Sequence, residues 1–390
     1  MNFDYDEEQR LLAESVRRFV AQDYAFETRR RIVASPEGHS PAVWRTMADL
    51  GLLGLPIPSE HGGFGAGALD MMSTMDAIGE ALVVEPYVST VGLCARMLVL
   101  AGTRAQQEEL LPAIAEGRLI LSFAHTERDA RYDLAHVGLV ARRSGDGYAL
   151  EGEKKVVLHA PIAAKMVVSA RTSGAAGDPR GVSLFIVDAA APGLEMTRCR
   201  TLDGQSAADI VFHNVVVHAD ALVGPLDEGF PVADEAVDFA TALVCAEAVG
   251  AMKYANEATL EYLKTRRQFG VAIGSFQALQ HRMVDMTISA EQARSMASLA
   301  CARVDSRPAA EERRRIVSAA KVRIADACRH VSQESVQLHG GMGMSEELKV
   351  SHTFRRLTTI AQQFGDADHH LDRFAHNSPL SLGRGAGGEG

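Results

Sequence analysis

Residues 265–277 read Thr-Arg-Arg-Gln-Phe-Gly-Val-Ala-Ile-Gly-Ser-Phe-Gln, and residues 337–343 read Gln-Leu-His-Gly-Gly-Met-Gly. A guanidinium group such as that of Arg266 meets paired phosphate oxygens in two directions at once, so it suits the pyrophosphate of a dinucleotide. We predict that Phe269 lies one helical turn from Arg266 and offers an apolar face to the adenosine. These two stretches decide the predicted fold and the predicted ligand.

Small and amide side chains in the second stretch fit the same ligand. Gly340 and Gly341 allow a ligand to approach the backbone closely, and Gln337 offers both a donor and an acceptor. The alternative is that Arg266 is a solvated charge at a helix end and that the glycines only cap a helix. For either stretch alone that alternative is the better one, because short motifs often match by chance.

Composition narrows the class of protein. The chain has 390 residues, of which 47% are hydrophobic and 23% are charged, which is typical of a globular protein with a large core and two or three layers or domains. A formal net charge of -10 disfavours nucleic acid and anionic membranes as partners. Five scattered cysteines, with no C-x-x-C pair, favour a reducing cytoplasm and predict neither disulfides nor a metal site. The acidic start predicts no signal peptide, and no stretch is apolar for long enough to predict membrane insertion.

The periodicity of apolar residues changes twice along the chain. Residues 1–118 show helical spacing, residues 119–225 contain short β-rich runs separated by turns, and residues 226–376 show long helical segments. We therefore predict an α+β multidomain protein with an N-terminal helical domain, a middle antiparallel β-barrel or sandwich, and a C-terminal four-helix bundle. Residues 236–263 are apolar on nearly every face, which predicts a buried helix. The tail, 377–390, is predicted to be disordered.

With these features in place, the chain resembles the acyl-CoA dehydrogenase family. Residues 265–277 resemble the family's R-x-x-F-G…F-Q segment, and residues 337–343 resemble its Q-x-x-G-G-x-G segment. Their separation and the order of helices, strands and helices match the family over residues 3–375. The resemblance implies the acyl-CoA dehydrogenase fold, FAD as the cofactor, an acyl-CoA as the substrate and an electron-transferring flavoprotein as the electron acceptor.

The resemblance also implies a role for the two stretches. In the family they form arms that reach the adenosine half of an FAD whose flavin ring sits mainly in the neighbouring subunit. The residues implied to contact the cofactor are Arg266, Phe269, Gln277, Gln337, Gly340 and Gly341.

The first motif that surrounds the flavin ring departs from the family. Its pattern is T-E-P-x-A-G-S-D, and residues 126–133 read Thr-Glu-Arg-Asp-Ala-Arg-Tyr-Asp. Arg128 replaces the proline, Arg131 the glycine and Tyr132 the serine. We expect these larger side chains to obstruct the approach of the backbone to a flavin.

The second flavin motif departs as well. Its pattern is G-x-K-x-W-I-T, and residues 152–158 read Gly-Glu-Lys-Lys-Val-Val-Leu. Val156 replaces the aromatic residue that covers the ring. Leu158 replaces the hydroxyl that hydrogen-bonds near the reactive nitrogen, and an apolar side chain cannot supply that bond.

The catalytic base is missing from both positions that the family uses. The reaction removes an α-proton with a carboxylate, but Phe364 and Ala240 stand at those positions. Glu247 lies in an apolar stretch, where burial would raise its pKa, and it is either a relocated base or a structural hydrogen-bond partner. Asp366 and Asp368 favour a helix start over a metal site.

These departures favour a subunit role. The pattern Gly-Asp-Ala-Asp-His-His at residues 365–370 resembles small subunits of two-chain bacterial enzymes such as pimeloyl-CoA dehydrogenase. We predict an acyl-CoA dehydrogenase subunit with no catalytic residue of its own, paired with a catalytic chain or with itself as a homo-oligomer. The alternatives are a self-sufficient enzyme that uses Glu247, a scaffold without FAD, and another flavin chemistry such as nitroalkane oxidation.

Overall fold

The computed structural model of the protein describes residues 7–377, with side chains from residue 11 onward. The predicted order of helices, then strands, then long helices is confirmed. The predicted disordered tail lies outside the described residues except for Asn377.

The helices that precede the sheet are α1 Glu7–Gln22, α2 Phe26–Ala34, α3 Pro41–Asp49, α4 Ala68–Ala81, the π-helix Val88–Ala95, α5 Arg96–Ala101 and α6 Arg104–Ala115. The strands of the large sheet are β1 Leu121–Ala124, β2 Val140–Ser144, β3 Gly147–Leu158, β4 Lys165–Arg171, β5 Val182–Asp188, β6 Leu194–Arg200, β7 Ser206–His218 and β8 Leu222–Val223. The later elements are α7 Gly229–Thr265, β9 Arg267–Gln268, β10 Val271–Ala272, α8 Gln277–Asp305, α9 Ala310–His339, α10 Lys349–Gln362 and α11 Ala367–His376.

The described chain divides into two compact units. The helical unit consists of the residues up to Phe26, then Ala68–Val83, then the chain from Thr241 onward. The sheet unit consists of Glu27–Gly67 and Val84–Ala240. The predicted domains, 1–118, 119–225 and 226–376, are continuous segments of the chain. The two units are instead groups of segments that contact one another, so they do not test the predicted boundaries.

The sheet has the strand order β6-β7-β3-β2-β4-β5-β8, with β1 beside β4. Its pairs are antiparallel except for two parallel pairs, β1 with β4 and β2 with β4. The two parallel pairs were not predicted, because pairing between strands that are distant in sequence leaves no local signal. Inward-facing side chains such as Leu150, Phe185 and Phe212 are fully buried and form the core of the unit.

Helix α7 is buried over residues 236–252, but the predicted burial of 253–263 is wrong, because Glu257, Leu260 and Glu261 on its last turns are exposed. It crosses α4 with the two backbones in contact. Every residue from 236 to 252 is buried. A Cβ atom at Gly250 of α7 would lie 1.8 Å from the carbonyl oxygen of Asp76, and one at Gly79 of α4 would lie 1.9 Å from the carbonyl oxygen of Glu247. No side chain fits at either position, so this crossing requires both glycines.

We expect Gly250→Ala to destabilise the protein. In an exposed helix the same change stabilises by about 1 kcal/mol. Here the added methyl group overlaps the α4 backbone, and we expect a loss of roughly 2–3 kcal/mol in the free energy of unfolding, as for other overpacked cores. Denaturant unfolding monitored by circular dichroism measures the change.

The control for this variant is Gly177→Ala, since a Cβ atom at Gly177 meets no atom within 4 Å. A Gly250→Ala protein as stable as the Gly177→Ala protein would contradict the close crossing.

Candidate functional site

The first arm is a short hairpin at the end of α7. The helix ends at Thr265, and the N–H of Arg266 still donates to the carbonyl of Tyr262 at 2.8 Å. Strands β9 and β10 then pair antiparallel around a two-residue turn formed by Phe269 and Gly270. The prediction that Phe269 lies one helical turn from Arg266 is wrong, because Gly270 and positive φ angles at both turn residues favour a tight hairpin over continued helix.

Phe269 holds an exposed aromatic ring at the hairpin tip. Its side chain is 89% exposed, and its φ of +53° is unusual for a bulky residue. The ring of Phe276 packs edge-on against it, with ring centroids 6.1 Å apart. Backbone strain and an exposed aromatic ring both cost free energy in the isolated chain, so they indicate a feature that serves binding rather than folding.

The second arm is the glycine turn after α9. Gly340 has φ +61° and ψ -144°, a conformation nearly restricted to glycine, and its N–H donates to the carbonyl of Gln337. Gly341 has no positive φ, and a Cβ atom there would meet no atom within 4 Å. The helix-cap alternative therefore accounts for Gly340, whereas the fold of this chain gives no reason for a glycine at 341.

The structure brings the bases of the two arms together. The ring of Tyr262, one turn before Arg266, stacks on the ring of His339 with centroids 4.5 Å apart. A salt bridge between Arg282 and Glu334 also joins α8 to α9, and these residues lie a few positions from Gln277 and Gln337. Burial lowers the pKa of His339, so the stacked imidazole is neutral near pH 7. The predicted contact residues are all exposed in the isolated chain: Arg266, Phe269, Gln277, Gln337, Gly340 and Gly341.

In the sheet unit, a buried ion pair joins the two altered flavin motifs. The Nζ atom of Lys154 is buried and donates to Glu127 Oε1 at 2.7 Å, to Ser169 Oγ at 3.0 Å and to the carbonyl oxygen of His125 at 3.1 Å. The N–H of Lys155 also donates to the carbonyl of Thr126 at 2.7 Å. This pair was not predicted from the sequence. Glu127 is the acidic residue that the first motif shares with the family pattern, and Lys154 is the basic residue that the second motif shares with it.

The pKa shifts follow from this packing. Burial lowers the pKa of Lys154 to about 8, against the effect of the Glu127 carboxylate, which raises it. Burial alone would raise the pKa of Glu127, but the charge and hydrogen bond of Lys154 and the N–H groups of Leu139 and Gly138 outweigh it, so the pKa lies below its usual value. Both groups are therefore charged at pH 7 and hold the 126–139 segment against β3.

Three of the five altered residues of the flavin motifs are exposed, and Tyr132 and Leu158 are half-buried. Arg128 and Arg131 are exposed, and Val156 is 51% exposed at a β-bulge in β3. Arg131 has φ +48° and Val156 has φ +49°. The backbone at 131 thus keeps the left-handed conformation that suits the family's glycine, while the side chain has changed.

Neither of the two positions that the resemblance assigns to the catalytic base carries a carboxylate. Ala240 is fully buried within α7. Phe364 lies in a short segment with φ +60°, which Lys321 fixes by donating to the carbonyl of Gly365 at 2.8 Å. The Asp366 carboxylate accepts a hydrogen bond from the N–H of His369 at 2.9 Å, so the predicted helix start there is confirmed.

Glu247 is buried as predicted, and its carboxylate is engaged. The guanidinium group of Arg356, on α10, donates to Glu247 Oε1 and also to the carbonyl of Val83 at 2.9 Å. The side chains of Glu247 and Arg356 are 5% and 3% exposed. A carboxylate held by a buried guanidinium is a structural link between α7 and α10.

None of the helices within residues 7–377 has the length and apolar character that a membrane-spanning helix needs. Within the same residues, no group of three or more His, Cys, Asp or Glu side chains is placed to hold a metal ion.

Three family models match the chain in succession. Residues 6–118 match the N-terminal domain of acyl-CoA dehydrogenases, residues 122–215 match the middle domain, and residues 227–377 match the C-terminal domain. A probable acyl-CoA dehydrogenase of Bacillus subtilis is 30% identical over 91% of this chain and 93% of its own length.

Solved structures of related fold also match this chain over nearly its whole length. The ChsE4-ChsE5 complex from Mycobacterium tuberculosis contains a chain with a TM-score of 0.87 and 27% identity, and the match covers 96% of this chain and 98% of that one. An FAD complex of PigA matches with a TM-score of 0.88 and 27% identity over 99% of this chain and 100% of that one.

We expect Glu127→Gln to destabilise the sheet unit by roughly 3 kcal/mol, because it leaves the Lys154 ammonium buried without its counter-charge. Glu127→Gln combined with Lys154→Met should recover part of the loss, since both buried charges are then gone. Chemical unfolding of the single and double variants measures the two effects.

The matched control is Glu153→Gln, which breaks the neighbouring pair with Lys155 at 2.8 Å, where the Glu153 side chain is 45% exposed. We expect little change there, because exposed pairs are screened by water. Equal losses in Glu127→Gln and Glu153→Gln would show that the buried pair has no special role.

Proposed function

The chain belongs to the acyl-CoA dehydrogenase family of FAD-dependent oxidoreductases, and on that premise we propose that it is a subunit that completes the FAD site of a catalytic partner chain. In this family bound FAD accepts the hydride that leaves the β-carbon of an acyl-CoA thioester. The proposed contribution of this chain is to bind and orient the adenosine half of that FAD.

The observation that carries the proposal is the glycine at 341. Neither backbone conformation nor packing within this chain excludes a side chain at that position. A ligand that lies against the backbone would exclude one. Arg266 and Gln337 are exposed on the two arms, whose bases meet at the stack of Tyr262 on His339. They offer a cationic fork and an amide, which fit a pyrophosphate and the polar edge of an adenosine.

The residues that would surround the flavin ring of FAD fit that ring less well than the arm residues fit the adenosine half. Val156 and Leu158 supply neither the aromatic cover nor the hydroxyl, and Arg131 places a long side chain where close backbone approach is needed. No carboxylate stands at 240 or 364 to take the α-proton. A chain that keeps one half of the cofactor site and has altered the other half suits a two-chain enzyme, and the ChsE4-ChsE5 complex is named as an assembly of two chains.

Two other readings are weaker. A self-sufficient enzyme would need Glu247 as its base, but the Arg356 guanidinium occupies that carboxylate. A scaffold without FAD would leave Gly341 and the exposed Phe269 unexplained. The visible absorbance of the purified chain, alone and with its partner, distinguishes all three.

We expect the chain to purify colourless alone and to give a yellow complex with one FAD per pair of chains when it is co-expressed with its catalytic acyl-CoA dehydrogenase partner. Arg266→Ala in that complex should weaken FAD retention about tenfold to hundredfold, because hydrogen bonds to charged groups are strong. Arg266→Lys should not restore it fully, since a point charge lacks the fork geometry. Absorbance at 450 nm after dialysis measures retained FAD.

The control is Arg104→Ala, which removes an arginine whose side chain is 90% exposed and which pairs with Glu108. A yellow homo-oligomer with one FAD per chain would overturn the partner-subunit proposal. Unchanged FAD retention in Arg266→Ala would remove Arg266 from the site.

A second variant tests the catalytic alternative. Glu247→Gln keeps the shape of the side chain and an oxygen that can accept from Arg356, so we expect the dehydrogenation rate of the assembled complex to fall less than about tenfold. Loss of a general base costs roughly 10²-fold to 10⁴-fold. The rate is measured with an artificial electron acceptor at matched FAD content. A thousandfold loss with FAD still bound would make Glu247 the base and this chain the catalyst.

A further inference from the structure

A pocket of about 230 Å³ lies between α7 and α8, and the proposed function gives it no role. A water molecule takes about 30 Å³ of liquid volume, so the pocket holds either several waters or one small molecule. The two helices run antiparallel, because Asn256 Nδ2 reaches the carbonyl of Met286 and Cys301 Sγ reaches the carbonyl of Ala242. Each part of the pocket is therefore lined by a stretch of α7 and by the stretch of α8 opposite it.

One end of the pocket is positively charged. Lys253 of α7 and Arg294 of α8 line it. Lys253 Nζ donates to Glu80 of α4 at 2.9 Å, and an ammonium group has further N–H donors. Arg17 is a third cation that acts on the buried carboxylate of Asp76 at this end. Cations thus outnumber the carboxylates of Asp76 and Glu80 there, so this end favours the anionic group of a ligand.

The middle of the pocket has the opposite polarity. Asn256 Oδ1 is buried and has no hydrogen-bond donor among residues 11–377. Glu257 of α7 and Glu291 of α8 also line the pocket. A buried acceptor without a donor costs free energy, so it marks a place where a donor from outside the chain fits. An ammonium group supplies that donor and is attracted by both carboxylates.

The far end of the pocket is apolar. Leu260 of α7 and Met283 of α8 lie there, opposite each other. Along the axis of α7, Lys253 precedes Asn256 by about 4.5 Å, and Leu260 follows Asn256 by about 6 Å. A cationic end, an acceptor and an apolar end thus follow one another within about 10 Å, which is the length of one small molecule.

We propose that this pocket binds a free apolar α-amino acid. Its carboxylate would lie at Lys253 and Arg294, and its ammonium group would donate to Asn256 Oδ1. Its side chain would cover Leu260 and Met283. The three groups of such a ligand occur in the same order as the three parts of the pocket, whereas a fatty acid or an alkylamine matches only two of them. The site requires neither FAD nor a partner chain, so it is independent of the proposed function.

The probe is radiolabelled L-leucine, bound to the full-length chain in equilibrium dialysis. Three competitors each lack one group of leucine: isocaproate lacks the ammonium group, isoamylamine lacks the carboxylate, and glycine lacks the side chain. We expect saturable binding of leucine, and we expect each competitor to bind about tenfold or more weakly, because each loses one of the three contacts.

Two variants assign the contacts. Asn256→Leu should weaken leucine binding about tenfold or more and leave isocaproate binding unchanged, since isocaproate has no ammonium group. Arg294→Gln should weaken leucine binding and leave isoamylamine binding unchanged. Gln292→Leu is the matched control, because Gln292 is exposed on α8 and does not line the pocket. Circular dichroism checks that each variant is folded, and the Arg294→Gln result stands alone if Asn256→Leu is not.

Two results would overturn the proposal. If leucine shows no saturable binding, the pocket holds water only. If leucine binds as tightly to Asn256→Leu and Arg294→Gln as to Gln292→Leu, the ligand lies elsewhere on the chain. Neither result bears on the retention of FAD, which tests the proposed function separately.

Discussion

Helices α4 and α7 cross so closely that the carbonyl oxygens of Asp76 and Glu247 occupy the space where side chains at Gly250 and Gly79 would stand. The rest of the helical unit depends on this contact. It places this part of α7 deep in the unit, where every residue from 241 to 252 is buried. It also leaves no water to solvate a charge near the crossing, so any ionised group there needs a protein partner.

Glu247 is one such group, because it lies one turn before Gly250. Arg356 of α10 donates a hydrogen bond to the Glu247 carboxylate and another to the carbonyl of Val83, at the C-terminal side of α4. One guanidinium thus joins α10 to both crossing helices. The pairing with Arg356 makes a buried carboxylate tolerable there, so packing explains the acidic residue at 247.

The sheet unit shows a related division between frame and surface. Glu127 and Lys154 pair inside it and hold the two flavin motifs together. Arg131 and Val156 keep left-handed backbone conformations while presenting side chains that a flavin ring would not favour. The buried pair and the backbone thus form a frame, and the side chains on it differ from the family pattern. In the helical unit, the residues of both arms are exposed. This contrast is the physical basis of the partner-subunit proposal.

The sequence by itself determined the family, the order of helices and strands, and the burial of α7 over residues 236–252, because these depend on local periodicity and on short motifs. It also indicated that Glu247 would be buried. It could not determine that Arg356 meets Glu247 across 109 positions, that Glu127 meets Lys154, or that β1 and β4 run parallel. These contacts join residues that are distant along the chain. The sequence also predicted a helical turn at Phe269, where the structure has a hairpin. The spacing of residue types along a sequence does not reveal a positive φ angle. Only the tertiary structure decided which glycines, like Gly79 and Gly250, are required by packing, because that depends on what lies within 4 Å of each one.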